Sequence, residues 1–382
     1  MESVWKPAVD KVHHDVAEMQ KIVDAEGGDF KIQPWDYRYY AEKVRKSKYD
    51  LDQNEVKQYL QLENLRESMF WVAGELFNLR FKQIDTIPVF HKDVRVWEVN
   101  SDRTGKTIGL WYFDPYARAG KRSGAWMSSY RDQQKLSETL PIVSNNCNFI
   151  KGNTNEPVLI SWDDATTLFH EFGHALHGLC SNVTYPSLSG TAVARDYVEF
   201  PSQLLEHWLA TPEVLNKFAL HYKTNEPLPQ SLVSRIEKAA NFNEGFATVE
   251  TISSSFVDMK LHLLTENVNP HQFEADTLKE LNMPSEIVMR HRIPQFAHIF
   301  SGDGYAAGYY SYLWSDVINA DAYEAFSEGK GPFDKEVAER LYNTVFSIGN
   351  TIDAEESYEN FRGRAFESDA LMRARNFPIV QN

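Results

Sequence analysis

The chain has 382 residues, of which 42% are hydrophobic and 24% are charged, and its formal net charge is −15. This length and composition are typical of a soluble globular protein with one large domain or two lobes. The acidic charge disfavours nucleic-acid backbones and anionic membranes, so neither is expected as a partner. The chain has two cysteines, and its N-terminus lacks a charged start followed by an apolar core. We therefore expect a cytoplasmic protein with no disulfide framework, signal peptide or membrane span.

Residues 1–80 are predicted to be helical. Val12, Val16 and Met19 recur at spacings of four and three, which is the period of an amphipathic helix. Residues 52–80 carry a longer pattern of the same kind. The first part of the chain is therefore expected to contribute helices only.

Residues 83–160 are predicted to form a small sheet with loops. Residues 94–99 alternate apolar and polar side chains, and a turn-rich stretch separates them from a partner strand at 107–113. From residue 161 to residue 382 the chain is helical again. The pattern has no internal repeat and no linker, which favours a single unit, residues 1–382, built as two lobes that share one cleft. Further strand candidates are residues 141–150 and 157–160.

A helix that begins at Ser161 carries the strongest chemical signal. Asp164 follows three residues later, which is a variant of the capping box. His170 and His174 are four residues apart, so both imidazoles project from one face and can bind the same metal ion. Glu171 lies about 100° further around the helix, where it can act as a base on a water molecule. This arrangement is typical of a zinc-dependent peptidase.

Zinc catalysis needs a third protein ligand and an open position. The metzincin class is excluded, because its pattern requires glycine where this chain has His177 and histidine where it has Cys180. His177 shares a helix face with His170, but seven residues separate them by about 10 Å along the axis. That distance is too long for one ion, so His177 is predicted either to pack in the core or to support a ligand.

Glu199 is the better third ligand. It lies 25 residues beyond His174, which leaves room for a loop and a second helix capped by Asp196. Gly173 costs about 1 kcal/mol relative to alanine in a helix interior, so another segment is expected to pack closely there. Glu206 can orient a ligand histidine. Two alternatives stay open: Glu199 as a solvated carboxylate at a helix start, and Glu206 as a surface glutamate.

Several sequence blocks resemble the thimet oligopeptidase family of zinc peptidases. They include Phe169-His170-Glu171-Phe172-Gly173-His174-Ala175-Leu176-His177 and Asp196-Tyr197-Val198-Glu199-Phe200-Pro201-Ser202-Gln203. The remaining blocks are residues 187–191, 296–300 and 304–314. Within the family, residues 113–127 are most similar to the bacterial dipeptidyl carboxypeptidases. The resemblance spans nearly the whole chain.

The resemblance implies a fold that is mainly α with a small β-sheet, a two-lobed zincin-like peptidase around a deep cleft. It also implies one zinc ion per chain, bound by His170, His174 and Glu199, with Glu171 as the base. Members of the family usually carry a long helical N-terminal region ahead of the part seen here. On that comparison the family's N-terminal region is largely absent, and the chain is expected to be a fragment or a shortened protein.

Residues 305–312 contain four tyrosines. From the sequence alone, these tyrosines are predicted to form aromatic core at the start of a helix. The resemblance makes Tyr305, Tyr312 and His298 candidate donors to the oxyanion of the reaction, and it makes Tyr305 and Tyr309 candidate substrate contacts. His298 as a purely structural histidine remains an alternative.

The implied function is hydrolysis of oligopeptides, with release of C-terminal dipeptides from short peptide substrates. Such an enzyme must hold a free carboxylate about 7 Å beyond the cut, and an arginine or lysine suits that task. One alternative is an endo-acting oligopeptidase with the same zinc centre, and another is a zinc-holding, non-catalytic fragment that binds peptides. The candidate clamps, each of which can instead be a surface charge, are Arg118, Lys121, Arg122 and Arg292.

Overall fold

The computed structural model describes residues 1–152 and 156–379. About 52% of the chain is helical, and the described part contains one small five-stranded sheet. This confirms a mainly helical fold with a small sheet.

Helical segments of 3₁₀ or π type occur at Pro186–Leu188, His207–Ala210, Ile293–Gln295, Asp303–Tyr305 and Tyr342–Phe346. The α-helices are α1 (Glu2–Ala25), α2 (Tyr37–Tyr49), α3 (Gln53–Lys57), α4 (Leu62–Phe77), α5 (Trp162–Leu179), α6 (Arg195–Val198), α7 (Phe200–Glu206), α8 (Pro212–Phe218), α9 (Gln230–Ala239), α10 (Glu244–His262), α11 (Pro270–Glu280), α12 (Ala297–Phe300), α13 (Ser311–Glu328), α14 (Lys335–Leu341), α15 (Ala354–Arg362) and α16 (Ser368–Ala374).

The sheet has the strand order β1-β2-β3-β5-β4. The strands β3 and β5 are parallel, and the other neighbouring pairs are antiparallel. The strands are β1 (Leu79–Gln83), β2 (Arg95–Ser101), β3 (Lys106–Tyr116), β4 (Trp126–Arg131) and β5 (Ile142–Phe149).

Most of the strand predictions are confirmed. The antiparallel pair β2 and β3 covers the strands predicted at 94–99 and 107–113, and β5 covers 141–150. The helical prediction for residues 1–80 is wrong at its end, because β1 begins at Leu79. A strand at 157–160 is also wrong, since Leu159 forms only an isolated bridge. The edge strand β4 was not predicted.

The chain divides into two compact units. We call residues 1–52, 230–317 and 368–379 the helical unit, and residues 53–229 and 318–367 the sheet unit. All five strands lie in the sheet unit. Each unit is therefore assembled from segments that are far apart in the sequence.

An aromatic cluster in the sheet unit fixes α5 against the sheet. Phe172 of α5 packs edge-on against Trp111 of β3, with ring centroids 5.5 Å apart. Phe70 of α4 stacks on Phe81 of β1 at 4.1 Å and lies 5.4 Å from Trp111. Trp111 and Phe172 are fully buried. Because Phe172 is flanked by Glu171 and Gly173, this cluster also fixes the part of α5 that carries the zinc motif.

The helical unit has its own core around α10. Trp5 of α1 packs edge-on against Phe256 of α10, with centroids 5.7 Å apart. A second cluster includes Val257, the next residue of α10, and extends to the segment that leads into α13. Its buried members are Val257, Met289, Ile293, Phe296, Ile299 and Tyr309.

Candidate metal centre

The helix α5 is fixed at its start by its own side chains. The hydroxyl of Ser161 accepts the amide of Asp164 at 3.1 Å, and the carboxylate of Asp164 accepts the amide of Ser161 at 3.2 Å. The predicted capping box is therefore confirmed. Further along the helix, the rings of His170 and His174 have centroids 4.9 Å apart.

A carboxylate from the next helical segment reaches both histidines. Glu199 lies between α6 and α7 and is 3% exposed. Its Oε2 atom lies 3.2 Å from Nε2 of His170 and 3.0 Å from Nε2 of His174. The structure thus brings together the three residues that the sequence selected as ligands, with one donor atom from each near a common point.

Close contact between α5 and α7 makes this meeting possible. A Cβ atom at Gly173 would lie 2.5 Å from Cα of Ser202 and 2.9 Å from the carbonyl oxygen of Pro201. The predicted close packing at Gly173 is therefore confirmed. Pro201 lies in the first turn of α7, where a missing amide proton costs no helical hydrogen bond. Asp196 lies inside α6, whose cap is Ala194, so the prediction that it caps the ligand helix is wrong.

Glu206 orients one of the two histidines. Nδ1 of His170 lies 2.7 Å from Oε1 of Glu206. In the neutral ring, a proton on Nδ1 donates to Glu206 and leaves the lone pair of Nε2 available to a metal. That Nε2 atom and the carboxylate of Glu199, 3.2 Å apart, are then both acceptors, an arrangement that a bound cation would satisfy. Without a cation, a protonated ring donates to both carboxylates instead. Two imidazoles and a carboxylate are a donor set that fits zinc.

The electrostatics of these residues favour positive charge at the same point. Burial alone would lower the pKa of His170, but its hydrogen bonds to Glu199 and Glu206 outweigh burial and hold that pKa well above its usual value. Burial would raise the pKa of Glu199, yet His174 and His170 hold it well below its usual value. A bound cation would satisfy the same preference.

Glu171 carries a buried carboxylate with an oxygen that no described residue satisfies. It is 6% exposed, and burial raises its pKa. Among the described residues, its Oε2 atom is buried without a hydrogen-bond partner. Such an atom is costly unless a ligand or water satisfies it, and unpaired groups of this kind often mark functional sites. This carboxylate is therefore available for proton transfer.

Sequence reasoning missed one residue that touches this helix. The amide of Asn145 in β5 donates to the backbone carbonyl of Glu171 at 2.6 Å, and its oxygen accepts Nε1–H of Trp111 at 2.7 Å. The only available signal was a polar run, residues 144–146, inside a strand that was otherwise expected to be buried.

His177 is a packed residue, as one of its two predicted roles requires. Its side chain is fully buried and lies edge-on to Phe346 at 6.0 Å. Burial lowers its pKa to about 3. Neither ring nitrogen has a hydrogen-bond partner in the part of the chain that the structure describes. Cys147 and Cys180 are both buried free thiols.

The predicted tyrosine and histidine donors lie together in the helical unit. The rings of Tyr305 and Tyr312 are nearly parallel, with centroids 5.8 Å apart, and the hydroxyl of Tyr312 donates to that of Tyr305 at 3.2 Å. His298 lies edge-on to Tyr305 at 5.7 Å and to Tyr309 at 5.6 Å. Tyr309 is buried in the core cluster, and Tyr305 and Tyr312 are partly buried against it.

The candidate carboxylate clamps have partners of their own. Arg118 donates two hydrogen bonds to Asp114, at 2.6 and 2.8 Å. Lys121 is buried and donates to backbone carbonyls, one of them that of Asp114 at 2.8 Å. Arg292 pairs with the buried carboxylate of Glu274. Lys121 is therefore not the surface charge that was considered as an alternative.

A second group of potential ligands lies on α1, formed by His14, Asp15 and Glu18. Lys11 lies 2.5 Å from the carboxylate of Asp15, and Lys48 lies 3.0 Å from that of Glu18. These ammonium groups already compensate both carboxylates, and they would repel a cation. The group formed by His170, His174 and Glu199 is the better metal site.

Within residues 1–152 and 156–379, no helix combines the length and the apolar character needed to cross a bilayer.

Comparison with known proteins gives the family. The model of peptidase family M3 matches residues 1–377. The dipeptidyl carboxypeptidase of Escherichia coli (strain K12) is 40% identical over 385 residues, which cover 99% of this chain and 56% of that protein.

Two further relatives agree with this match. The dipeptidyl carboxypeptidase of Salmonella typhimurium is 41% identical, covering 98% of this chain and 55% of that protein. Oligopeptidase A of the same organism is 34% identical, covering 94% of this chain and 53% of that protein. The chain thus spans about half the length of the curated relatives it matches. The resemblance to the thimet oligopeptidase family is confirmed, and the chain belongs to peptidase family M3.

Proposed function

We propose that this chain is a zinc-dependent peptidase that removes dipeptides from the C-terminal end of oligopeptides. The observation that carries the proposal is the convergence of His170, His174 and Glu199 beside the unpaired carboxylate oxygen of Glu171. A structural zinc site closes with four protein ligands and has no use for a base. Three converging ligands next to a buried carboxylate support catalysis instead.

Each residue of the centre has a defined task. The side chains of His170, His174 and Glu199 would hold a zinc ion, which supplies polarisation of the scissile carbonyl and makes a water molecule more acidic. Glu171 takes a proton from the attacking water and later gives it to the leaving amine. Glu206 keeps His170 in the tautomer and orientation that a ligand needs.

Tyr312, Tyr305 and His298 are proposed to stabilise the oxyanion. The hydrogen bond between the two tyrosine hydroxyls and the edge-on contact of His298 with Tyr305 support this role, because such contacts orient polar groups before the reaction. Removal of one oxyanion donor typically lowers kcat by about 10²–10³-fold.

Substrate contacts are proposed for Tyr305, Arg292 and Arg118, whereas Tyr309, which is 3% exposed, is proposed to act only through the tyrosine pair that it packs against. The clamp for the substrate carboxylate is the least constrained of these roles. Arg118 is favoured over Lys121, because Asp114 fixes its guanidinium while the side chain stays partly exposed. Arg292 is the alternative clamp, and its guanidinium is about half exposed beside Glu274.

An endo-acting oligopeptidase is the second candidate, and the similarity to oligopeptidase A favours it. The test uses two matched peptides that differ only in a free or an amidated C-terminus, each assayed with and without 1,10-phenanthroline. We expect chelator-sensitive release of a dipeptide from the free acid and a loss of at least about 100-fold in kcat/KM for the amide. Equal cleavage of both peptides would favour the endo-acting enzyme. Zinc binding without cleavage of either would indicate a non-catalytic fragment.

A further inference from the structure

A buried carboxylate in the helical unit holds the backbone of the tyrosine segment. Asp258 lies in α10, and its side chain is only 1% exposed. One oxygen accepts the amide of Ala307 at 3.0 Å, and the other accepts the amide of Tyr309 at 2.9 Å. Both oxygens of the carboxylate are thus used on two amides that are two residues apart. A neutral side chain of the same size would not have two such acceptors.

The segment that Asp258 holds has an unusual backbone. Ala307 adopts φ of +54°, a left-handed conformation that is sterically costly for any residue with a Cβ atom. Such conformations persist when the surrounding structure fixes them, and they concentrate at functional sites. The two amide bonds to Asp258 supply that fixation. The amide of Gly308 also bonds to the carbonyl of Tyr305 at 2.8 Å, which closes the turn.

Both candidate donors are attached directly to this turn. Tyr305 precedes Ala307 by two residues, and Tyr312 follows Tyr309 by three, at the start of α13. Tyr309 is buried and lies 5.3 Å from the ring of Tyr312. The separation of the two hydroxyls therefore depends on the path of the backbone between residues 305 and 312.

A histidine on the same helix face supports the charged form of the carboxylate. Nδ1 of His262 lies 2.8 Å from Oδ1 of Asp258, one helical turn away. Burial raises the pKa of Asp258, while the amides of Tyr309 and Ala307 and the nearby His262 act in the opposite direction. These groups offset part of the cost of burying a carboxylate.

We propose that Asp258 is a positioning residue for the tyrosine pair: by holding the amides of Ala307 and Tyr309 it fixes the relative placement of the hydroxyls of Tyr305 and Tyr312, the pair to which the proposed function assigns the oxyanion. Asp258 itself touches no substrate. The inference rests on the proposed function, since it assigns turnover to those hydroxyls. It predicts that loss of the carboxylate acts on kcat through Tyr312 and leaves zinc binding intact.

The test compares Asp258→Asn with Asp334→Asn. Asp334 is a matched control in the sheet unit, where its carboxylate also accepts backbone amides, those of Lys330 at 2.8 Å and Glu336 at 2.9 Å. For Asp258→Asn we expect kcat to fall by about 10–100-fold, the size of effect that a misplacement of about 1 Å produces. We expect KM to change by less than about threefold and zinc content to stay the same. Asp334→Asn should keep wild-type kcat.

A double variant shows whether the effect passes through the tyrosine. If Asp258 acts by placing Tyr312, then Asp258→Asn combined with Tyr312→Phe should be no slower than Tyr312→Phe alone, within about twofold. Hydrogen exchange gives a readout that does not depend on activity: the amides of Ala307 and Tyr309 should exchange faster in Asp258→Asn. Losses that multiply, or exchange equal to that of the wild type, would overturn the inference.

Poor folding of Asp258→Asn can be distinguished from a failure of the proposed function. If Asp258→Asn does not fold, His262→Leu replaces it at a partly exposed position, with an expected fall in kcat of about fivefold; a wild-type kcat there would overturn the inference. An active wild type whose Asp258→Asn variant matches Asp334→Asn would overturn the inference alone. A wild type without chelator-sensitive cleavage would overturn the proposed function and the inference together.

Discussion

Nδ1 of His170 lies 2.7 Å from the carboxylate of Glu206, at the far end of the helix that follows Glu199. The helix α7 thus supplies a partner for Nδ1 of His170, while Glu199 approaches Nε2 of the same ring. In zinc sites, such outer partners fix the tautomer and raise the basicity of the ligand.

We therefore expect Glu206→Ala to weaken zinc binding by about 10–100-fold. Glu206→Gln should be milder, because its amide oxygen still accepts the hydrogen bond but carries no charge. Competition with a chromophoric chelator measures the affinity. Glu213→Gln, at an exposed position shortly after this helix, is the control and should bind as the wild type does. Zinc affinity unchanged in both Glu206 variants would exclude the orienting role.

Glu171→Gln should separate metal binding from turnover. The amide is nearly the same size as the carboxylate but cannot take up a proton, so kcat should fall by about 10²–10⁴-fold. Zinc content, measured by mass spectrometry, should remain one ion per chain. Asp163→Asn, an exposed change in the first turn of the same helix, should leave kcat unchanged. More than about one hundredth of wild-type kcat in Glu171→Gln would mean that another group is the base.

The start of α5 and the pairing of its two histidines could be predicted from the sequence, because both depend on residues close together in the chain. Ser161 and Asp164 define where α5 begins, and a spacing of four places His170 and His174 on one face whatever the rest of the chain does. Glu199 required a further step, since nothing in its spacing requires that α7 pack on α5. The glycine at position 173 was the only local sign of that contact.

The remaining features depend on contacts that sequence periodicity does not encode. The strand β4 pairs with β5 rather than with its neighbour β3, and its residues become steadily more exposed along the strand, so no alternating pattern marks it. Asn145 and Asp258 are buried polar residues in elements that also carry other polar side chains. Their structural roles can be assigned only once their hydrogen bonds to backbone groups on distant segments are known.

Gly173→Ala should disturb the contact that brings Glu199 to the histidines. Alanine would gain about 1 kcal/mol in helix propensity, but its Cβ would lie 2.5 Å from Cα of Ser202, a distance that forces the two backbones apart. Overpacking of this kind costs about 1–3 kcal/mol or more. We expect a lower Tm together with weaker zinc binding.

Gly152→Ala is the control for this change, because an added Cβ there would meet nothing closer than 3.9 Å. Its Tm and zinc affinity should match those of the wild type. If Gly173→Ala behaved in the same way, the approach of α7 to α5 would not depend on the absence of a side chain at this position.

His177 should make the fold sensitive to acid. Burial lowers its pKa to about 3, whereas an unfolded histidine titrates near pH 6.5. Between these two values the unfolded chain binds a proton that the folded chain does not, so the free energy of unfolding rises with pH and falls as the solution is acidified. The contribution of His177 to the free energy of unfolding is fully present above about pH 6.5. Each pH unit below that value lowers the free energy of unfolding by about 1.4 kcal/mol.

His177→Leu removes this titration while it keeps an apolar side chain in the helix. Urea unfolding at pH 7 and pH 5.5 should show that the wild type loses about 1 kcal/mol more than the variant over this interval. Both proteins are measured with a chelator, so that release of zinc in acid does not contribute to the difference. His13→Leu, at an exposed position, should keep the wild-type slope. Equal slopes for the wild type and His177→Leu would mean that His177 is protonated in the folded chain, and its packed environment would then have to include a partner for that charge.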